Sequence, residues 1–130
     1  MVPVKSFMVT REKFVTVERD TEAQTAARIM RDRGIGSLFV TNGKEIVGIL
    51  TDTDMVRRVV AVGVDTHKTT AEQIMSAPIV TIDEDKTVLD ANDLMAKTHI
   101  RHLGVTQGGK LVGMISVRDI VVFLTNLPRK

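Results

Sequence analysis

The sequence predicts an α+β fold made of two copies of one β-α-β-β-α unit, related by pseudo-twofold symmetry. Three observations carry this. The chain of 130 residues matches itself without gaps at an offset of 65, half its length. Each copy holds one stretch whose apolar residues recur at helical spacing. Each copy then holds two β-rich runs joined by a glycine-bearing turn.

Residues 15–56 align with residues 80–121, and the 42 aligned positions include 14 identities. Among them are Asp20/Asp85, Met30/Met95, Leu38/Leu103, Gly48/Gly113 and Asp54/Asp119. Roughly 2 to 3 identities would arise by chance at average composition. The expected repeat limits are therefore 1–65 and 66–130. The period is too long for an ordinary solenoid, and two copies point to a symmetric pair instead.

The elements follow in order. Short apolar runs open each copy, Phe14-Val15-Thr16-Val17 and Ile79-Val80-Thr81-Ile82, and read as strands. A helix comes next, with Ala23, Ala26, Ala27 and Met30 on one face of the first copy and Val88, Ala91 and Met95 on the matching face of the second. Ser37–Thr41 with Ile46–Leu50, and His102–Thr106 with Leu111–Ile115, read as hairpins turning at Asn42-Gly43 and Gly108-Gly109. A last helix starts near Thr51 or Ser116. Val64–Thr70 is polar and reads as the linker. Ala71-Glu72-Gln73-Ile74-Met75 reads as a short helical turn, with Phe7-Met8 as its counterpart ahead of the first copy.

Composition excludes several function classes. With 43% hydrophobic and 26% charged residues, the chain is a globular domain and not a disordered one. No apolar run approaches the roughly 18 to 20 residues of a membrane span. The net charge of +2 gives no argument for nucleic acid or an acidic membrane. Four Phe with no Trp or Tyr leave no stacking platform for single strands. The absence of cysteine excludes disulfides and thiol catalysis. The start of the sequence lacks a signal peptide's apolar core, so a cytoplasmic protein is expected. The runs Met55-Val56, Val59–Val62 and Ile120–Leu124 are too apolar for solvated faces, which leads to the expectation of a homodimer.

No nucleophile stands with a base and its orienter, so an enzyme is not expected. His99-x-x-His102 lacks a third ligand, and no metal is expected. Gly34-Ile35-Gly36 precedes a strand and lacks a third glycine, so it is not a dinucleotide fingerprint.

The sharpest local feature occurs twice. Gly48-Ile49-Leu50-Thr51-Asp52-Thr53-Asp54 matches Gly113-Met114-Ile115-Ser116-Val117-Arg118-Asp119. Both read Gly-apolar-apolar-hydroxyl-x-x-Asp at a strand-to-helix junction. The spacing is that of a capping box, which satisfies orphan N–H groups at a helix start. A carboxylate so placed is also able to accept the paired hydroxyls of a ribose, while the helix terminus favours a nearby phosphate. The two roles are compatible.

With that motif, the repeated unit resembles a tandem pair of CBS domains, the Bateman module. The phrases Ile35-Gly36-Ser37-Leu38 and Ile100-Arg101-His102-Leu103, each leading into an apolar strand and a glycine turn, add to the resemblance, which spans almost the whole chain. It implies adenosine-containing ligands in clefts between the repeats, and dimers in head-to-head or head-to-tail arrangement. By resemblance, Asp54 and Asp119 take ribose hydroxyls, helped by Thr51 and Ser116. Ile35, Gly36 and Ser37, with Ile100, Arg101 and His102, fall where the family lines the base and phosphate pocket, and Ile49 and Met114 flank the base.

The two copies differ in charge. Arg101, His102 and Arg118 stand where the first copy has Gly36, Ser37 and Thr53, so the phosphate-handling groups concentrate in the second copy. Contact through His102 would strengthen binding as pH falls. The expected function is a regulatory module that senses an adenine nucleotide of the AMP, ADP or ATP kind and acts in trans on a protein partner. The nucleotide is a regulatory ligand, and no cofactor is expected. The alternatives are a structural or interaction protein with degenerate sites, or a sensor of S-adenosylmethionine or NAD.

Overall fold

The computed structural model describes residues 2–126. In chain order, a 3-10 turn at Val4–Ser6 leads to β1 (Val9–Thr10), and a second 3-10 turn at Arg11–Lys13 leads to β2 (Thr16–Glu18). Helix α1 (Ala23–Arg33) and strands β3 (Ser37–Asn42) and β4 (Glu45–Thr51) follow. A short α2 (Asp52–Asp54) continues directly into a π-helical stretch, Met55–Val60. Then come α3 (Ala71–Ile74), β5 (Thr81–Asp83), α4 (Val88–Thr98), β6 (His102–Gln107), β7 (Lys110–Ser116) and α5 (Val117–Thr125). The β-α-β-β-α order expected for each copy is present.

The chain packs as two compact units. Phe14–Ile79 forms one, and the described residues before and after it form the other. In the first unit, β2 pairs parallel with β3, which pairs antiparallel with β4. A crossover through α1 is what a parallel β2–β3 pair requires. Val17, Ala23, Ala26, Met30, Leu38, Val40 and Leu50 make the core with Ala71 and Ile74 from α3. Ala27, expected on the apolar face, is exposed, and Ile29 packs against the core instead. The opening strands begin at Thr16 and Thr81, two residues later than expected, and Phe14 stacks on Phe39 with ring centroids 4.1 Å apart.

The second unit repeats this plan. Strand β5 pairs parallel with β6, β6 antiparallel with β7, and β1 adds a fourth strand beyond β7. Its core is Val4, Ile82, Ala91, Met95, Leu103, Val105, Ile115 and Ile120. Both hairpins shift register at the same place, between Val40 and Thr41 and between Val105 and Thr106, so even the irregularity is duplicated.

The units exchange their leading segments. Val4, early in the sequence, is fully buried in the second unit, where its N–H donates to the Lys86 carbonyl at 2.7 Å. The stretch 71–79 packs instead with the first unit. There Ser76 exchanges backbone hydrogen bonds with Ile49 at 3.0 and 2.8 Å, the same edge of β4 that β1 occupies on β7. The motif glycines make room for these segments. A Cβ on Gly48 would collide with the Met75 sulfur and the Ser76 carbonyl, and one on Gly113 with the Met8 sulfur and the Val9 carbonyl. The first residue of the Gly-x-x-hydroxyl-x-x-Asp motif is therefore fixed by packing of the edge segment. Met8, singled out with Phe7 in sequence, is the spatial counterpart of Met75.

Candidate functional site

The strand-to-helix junction of each copy carries the candidate ligand groups. In the second unit, Ser116 is at once the last residue of β7 and the N-cap of α5, with an extended backbone (φ −124°, ψ 165°). Its hydroxyl accepts from the Asp119 N–H at 3.1 Å and donates to Asp119 Oδ2 at 2.9 Å. The Ser116 N–H donates to the same oxygen at 2.9 Å. This closed capping box satisfies terminal helix donors and fixes the carboxylate's orientation. Asp119 Oδ1 has no hydrogen-bond partner among the described residues.

Strand pairing assembles the rest of this corner. His102 lies opposite Ser116 across β6 and β7, and the Val117 N–H donates to the Arg101 carbonyl at 3.0 Å. Arg101, His102, Ser116, Arg118 and Asp119 thus meet at the start of α5. Arg101 and Arg118 are exposed, while His102 and Asp119 are half-buried. Arginines at these two positions, beside the start of a nine-residue helix, suit an anionic group.

The first unit has the same main-chain frame with different chemistry. Ser37 pairs with Thr51, and the Asp52 N–H donates to the Gly36 carbonyl at 3.0 Å. Thr51 and Asp54 form a capping box, with 3.0 Å from the Thr51 N–H and 3.2 Å from its hydroxyl to Asp54 Oδ2. Asp52 hangs over Gly36, its Oδ2 lying 3.2 Å from where a Cβ would stand. The second copy has Val117 and Arg101 at these places, so a carboxylate over a glycine is replaced by an apolar side chain beside a base.

Asp54 is also more deeply engaged than Asp119. It is 6% exposed, and its Oδ1 accepts from the Ser76 hydroxyl at 2.9 Å and lies 3.7 Å from Arg58 Nε. Neither Ser76 nor Arg58 is apparent as a site residue from sequence. Ser76 is 22 residues away from Asp54, and Arg58 falls just past the end of the self-match.

The remaining sequence candidates sort by burial. Ile35 and Ile100 are half-buried and pack against their units' cores. Each belongs to the hydrophobic layer of its own unit. Ile49 is buried and Met114 half-buried at equivalent strand positions. The hydroxyls of Thr51 and Ser116 spend their hydrogens on the carboxylates they cap, so their part is to aim those carboxylates. No group of three or more metal-binding side chains occurs among the described residues, and none of the described helices is long and apolar enough to cross a membrane.

Comparison with known proteins bears on this geometry. The CBS domain family model matches twice, at residues 4–61 and 71–126. The uncharacterized protein MK0525 of Methanopyrus kandleri is 37% identical over 115 residues, 87% of this chain and 59% of that protein, so the chain spans about three fifths of its length. The CBS domain-containing protein YhcV of Bacillus subtilis is 32% identical over 122 residues, 94% of this chain and 85% of YhcV. The crystal structure of CBSX2 in complex with AMP superposes with a TM-score of 0.80 at 21% identity, covering 99% of this chain and all of that one, a likeness of fold.

Proposed function

The chain belongs to the CBS-domain family, and we propose that it is a regulatory module that senses an adenosine nucleotide through the second copy's junction, without turning it over, and passes that signal to a protein partner. The observation that carries this reading is Asp119, held in a fixed orientation by its capping box yet with Oδ1 uncommitted among the described residues. A rigid carboxylate with a spare oxygen is a preorganised acceptor for a ribose hydroxyl. Arg101, Arg118 and the α5 terminus supply cationic character for a phosphate on the same ligand. That a protein of this fold has been solved with AMP supports the ligand class.

Calorimetry of the full chain with AMP and adenosine tests the reading. The expected result is tighter binding of AMP than of adenosine, a difference that shrinks in Arg118→Ala, and loss of both ligands in Asp119→Ala. Failure of the chain to bind any of AMP, ADP, ATP or adenosine overturns it.

A second reading, an interaction protein working through its helix surfaces, is favoured by the exposed apolar residues Val56, Val60 and Val62 in one copy and Val121, Val122 and Leu124 in the other. These side chains fit the expected homodimer, and the two readings are compatible. Light scattering at micromolar concentration checks the dimer, and a monomer mass would remove it.

A further inference from the structure

We infer that Ser76 and Arg58 form an internal latch that occupies Asp54 and closes the first copy's junction to ribose, so that the chain takes one nucleotide through Asp119 alone. The inference rests on the nucleotide reading and names what sets the number of sites.

The latch is built from both sides. The Ser76 hydroxyl donates to Asp54 Oδ1 at 2.9 Å, and the Ser76 main chain is held on Ile49 in both directions. Arg58 approaches the same oxygen at 3.7 Å, and its Nη1 donates to the carbonyls of Ile74 and Met75, in the segment that carries Ser76. Asp54 Oδ2 is already spent in the capping box with Thr51. Both carboxylate oxygens are therefore satisfied within the protein, and the side chain is only 8% exposed. A ribose hydroxyl would have to displace a hydroxyl already bonded to a charged acceptor, which weakens binding by about 10- to 100-fold.

The second copy lacks the latch at both positions. Val9 faces Met114 on β7 as Ser76 faces Ile49 on β4, and Ile49 and Met114 are equivalent in the repeat. A valine cannot donate to Asp119. Phe123 stands where Arg58 stands, and it stacks on Phe7 at 4.9 Å instead of reaching a carboxylate. The same fold thus presents one aspartate with its donors supplied internally and another whose Oδ1 has no partner among the described residues. Two residues outside the motif make the difference.

The test is calorimetric titration of the full chain with AMP, in wild type, Ser76→Ala, Val9→Ser and the control Val9→Ala, with circular dichroism confirming that each folds. One AMP per chain is expected for wild type and for Val9→Ala. Ser76→Ala should gain a second, weaker site, and adding Arg58→Gln should strengthen it. Val9→Ser, which places a hydroxyl beside Asp119, should weaken the first site by about tenfold. Two equal sites in wild type, or an unchanged single site in folded Ser76→Ala and in its Arg58→Gln double variant, overturns the latch and leaves the nucleotide reading standing. No binding of AMP by any of the variants overturns both.

Discussion

The two junctions share a frame and differ in what they leave available. At Thr51 and Ser116 the same extended backbone, capping box and strand pairing recur. Around that frame the first copy gathers carboxylates, Asp52 and Asp54, and satisfies the latter with Ser76 and Arg58. The second has Arg101 and Arg118 at the matching positions and an Asp119 whose Oδ1 has no partner among the described residues. One motif therefore stands in two surroundings: its carboxylate is met by Ser76 and Arg58 in the first copy, and by its own capping box in the second. The repeat accounts for the shared frame, and the residues at neighbouring positions account for the different surroundings. The following helices diverge as well. The first copy runs into π-type hydrogen bonding, with the Ala61 N–H reaching the Val56 carbonyl at 2.9 Å, while α5 stays α-helical.

Removing residues 1–13 should break the comparison most severely. It takes Val4 out of the second core and β1 off β7, and leaves Phe14–Ile79 with every residue of its own core. The expected loss is about 3 kcal/mol or more, confined to the second unit. Hydrogen exchange should show protection lost after Val80 and kept between Phe14 and Ile79, and equal loss in both units would refute the exchange of leading segments.

Alanine at the two aspartates should cross over. Asp54→Ala removes a nearly buried carboxylate together with its capping box, takes the acceptor from the half-buried Ser76 hydroxyl, and should cost about 2 kcal/mol of stability. Asp119→Ala loses mainly its capping box and should cost about 1 kcal/mol, but it should abolish AMP binding. Chemical denaturation together with calorimetry measures both columns of the comparison. A larger stability loss for Asp119→Ala would contradict it.

A smaller effect separates the ends of the long helices. Gly34 closes α1 in the left-handed region at φ 62°, and His99 closes α4 at φ 56° with a side chain that disfavours it. His99→Gly should stabilise the protein by about 1 kcal/mol, and Gly34→His should destabilise it by a similar amount. Thermal unfolding of both variants checks the sign.

The smallest expected difference lies at the starts of those helices. Helix α4 begins with a Thr87–Asp90 capping box, while the equivalent of Asp90 in α1 is Thr25. The Thr87 N–H and then its hydroxyl hold the Asp90 carboxyl below its ordinary range. A carboxylate whose pKa is depressed on folding adds stability that is complete above the unfolded value, about 3.9, and is lost as pH falls through the folded value. Acid unfolding should therefore begin at slightly higher pH in Asp90→Asn, with a shallower dependence on pH. Identical acid profiles would remove the role of Asp90.

The repeat made most of the fold legible. A 65-residue offset carried the two sheets, the helix faces and both capping boxes, because each is encoded by residues within a few positions of one another. The latch was not legible, and the reason is register. An ungapped offset pairs Ser76 with Arg11, whereas the structure pairs its position with Val9. The 3-10 turn at Arg11–Lys13 lengthens the first leading segment and slips it by two residues. Arg58 and Phe123 keep the offset but differ in identity, so their contrast has meaning only once Ser76 is seen beside Asp54. The short opening strands were legible as to their place but not their start, since only Val17 and Ile82 are buried in them and a single buried residue sets no boundary.

The exchanged leading segment also sets an order of events along the chain. The first unit is contiguous, so its pairings close short loops and need nothing beyond residue 79. The second unit must join β1 to β7, bringing Val9 to Met114 across more than a hundred residues. Closing so long a loop is slow and offers no reward until the last hairpin exists. In chain order, residues 4–10 therefore precede every element they pack against, so their burial depends on the last hairpin and follows the closing of the contiguous unit.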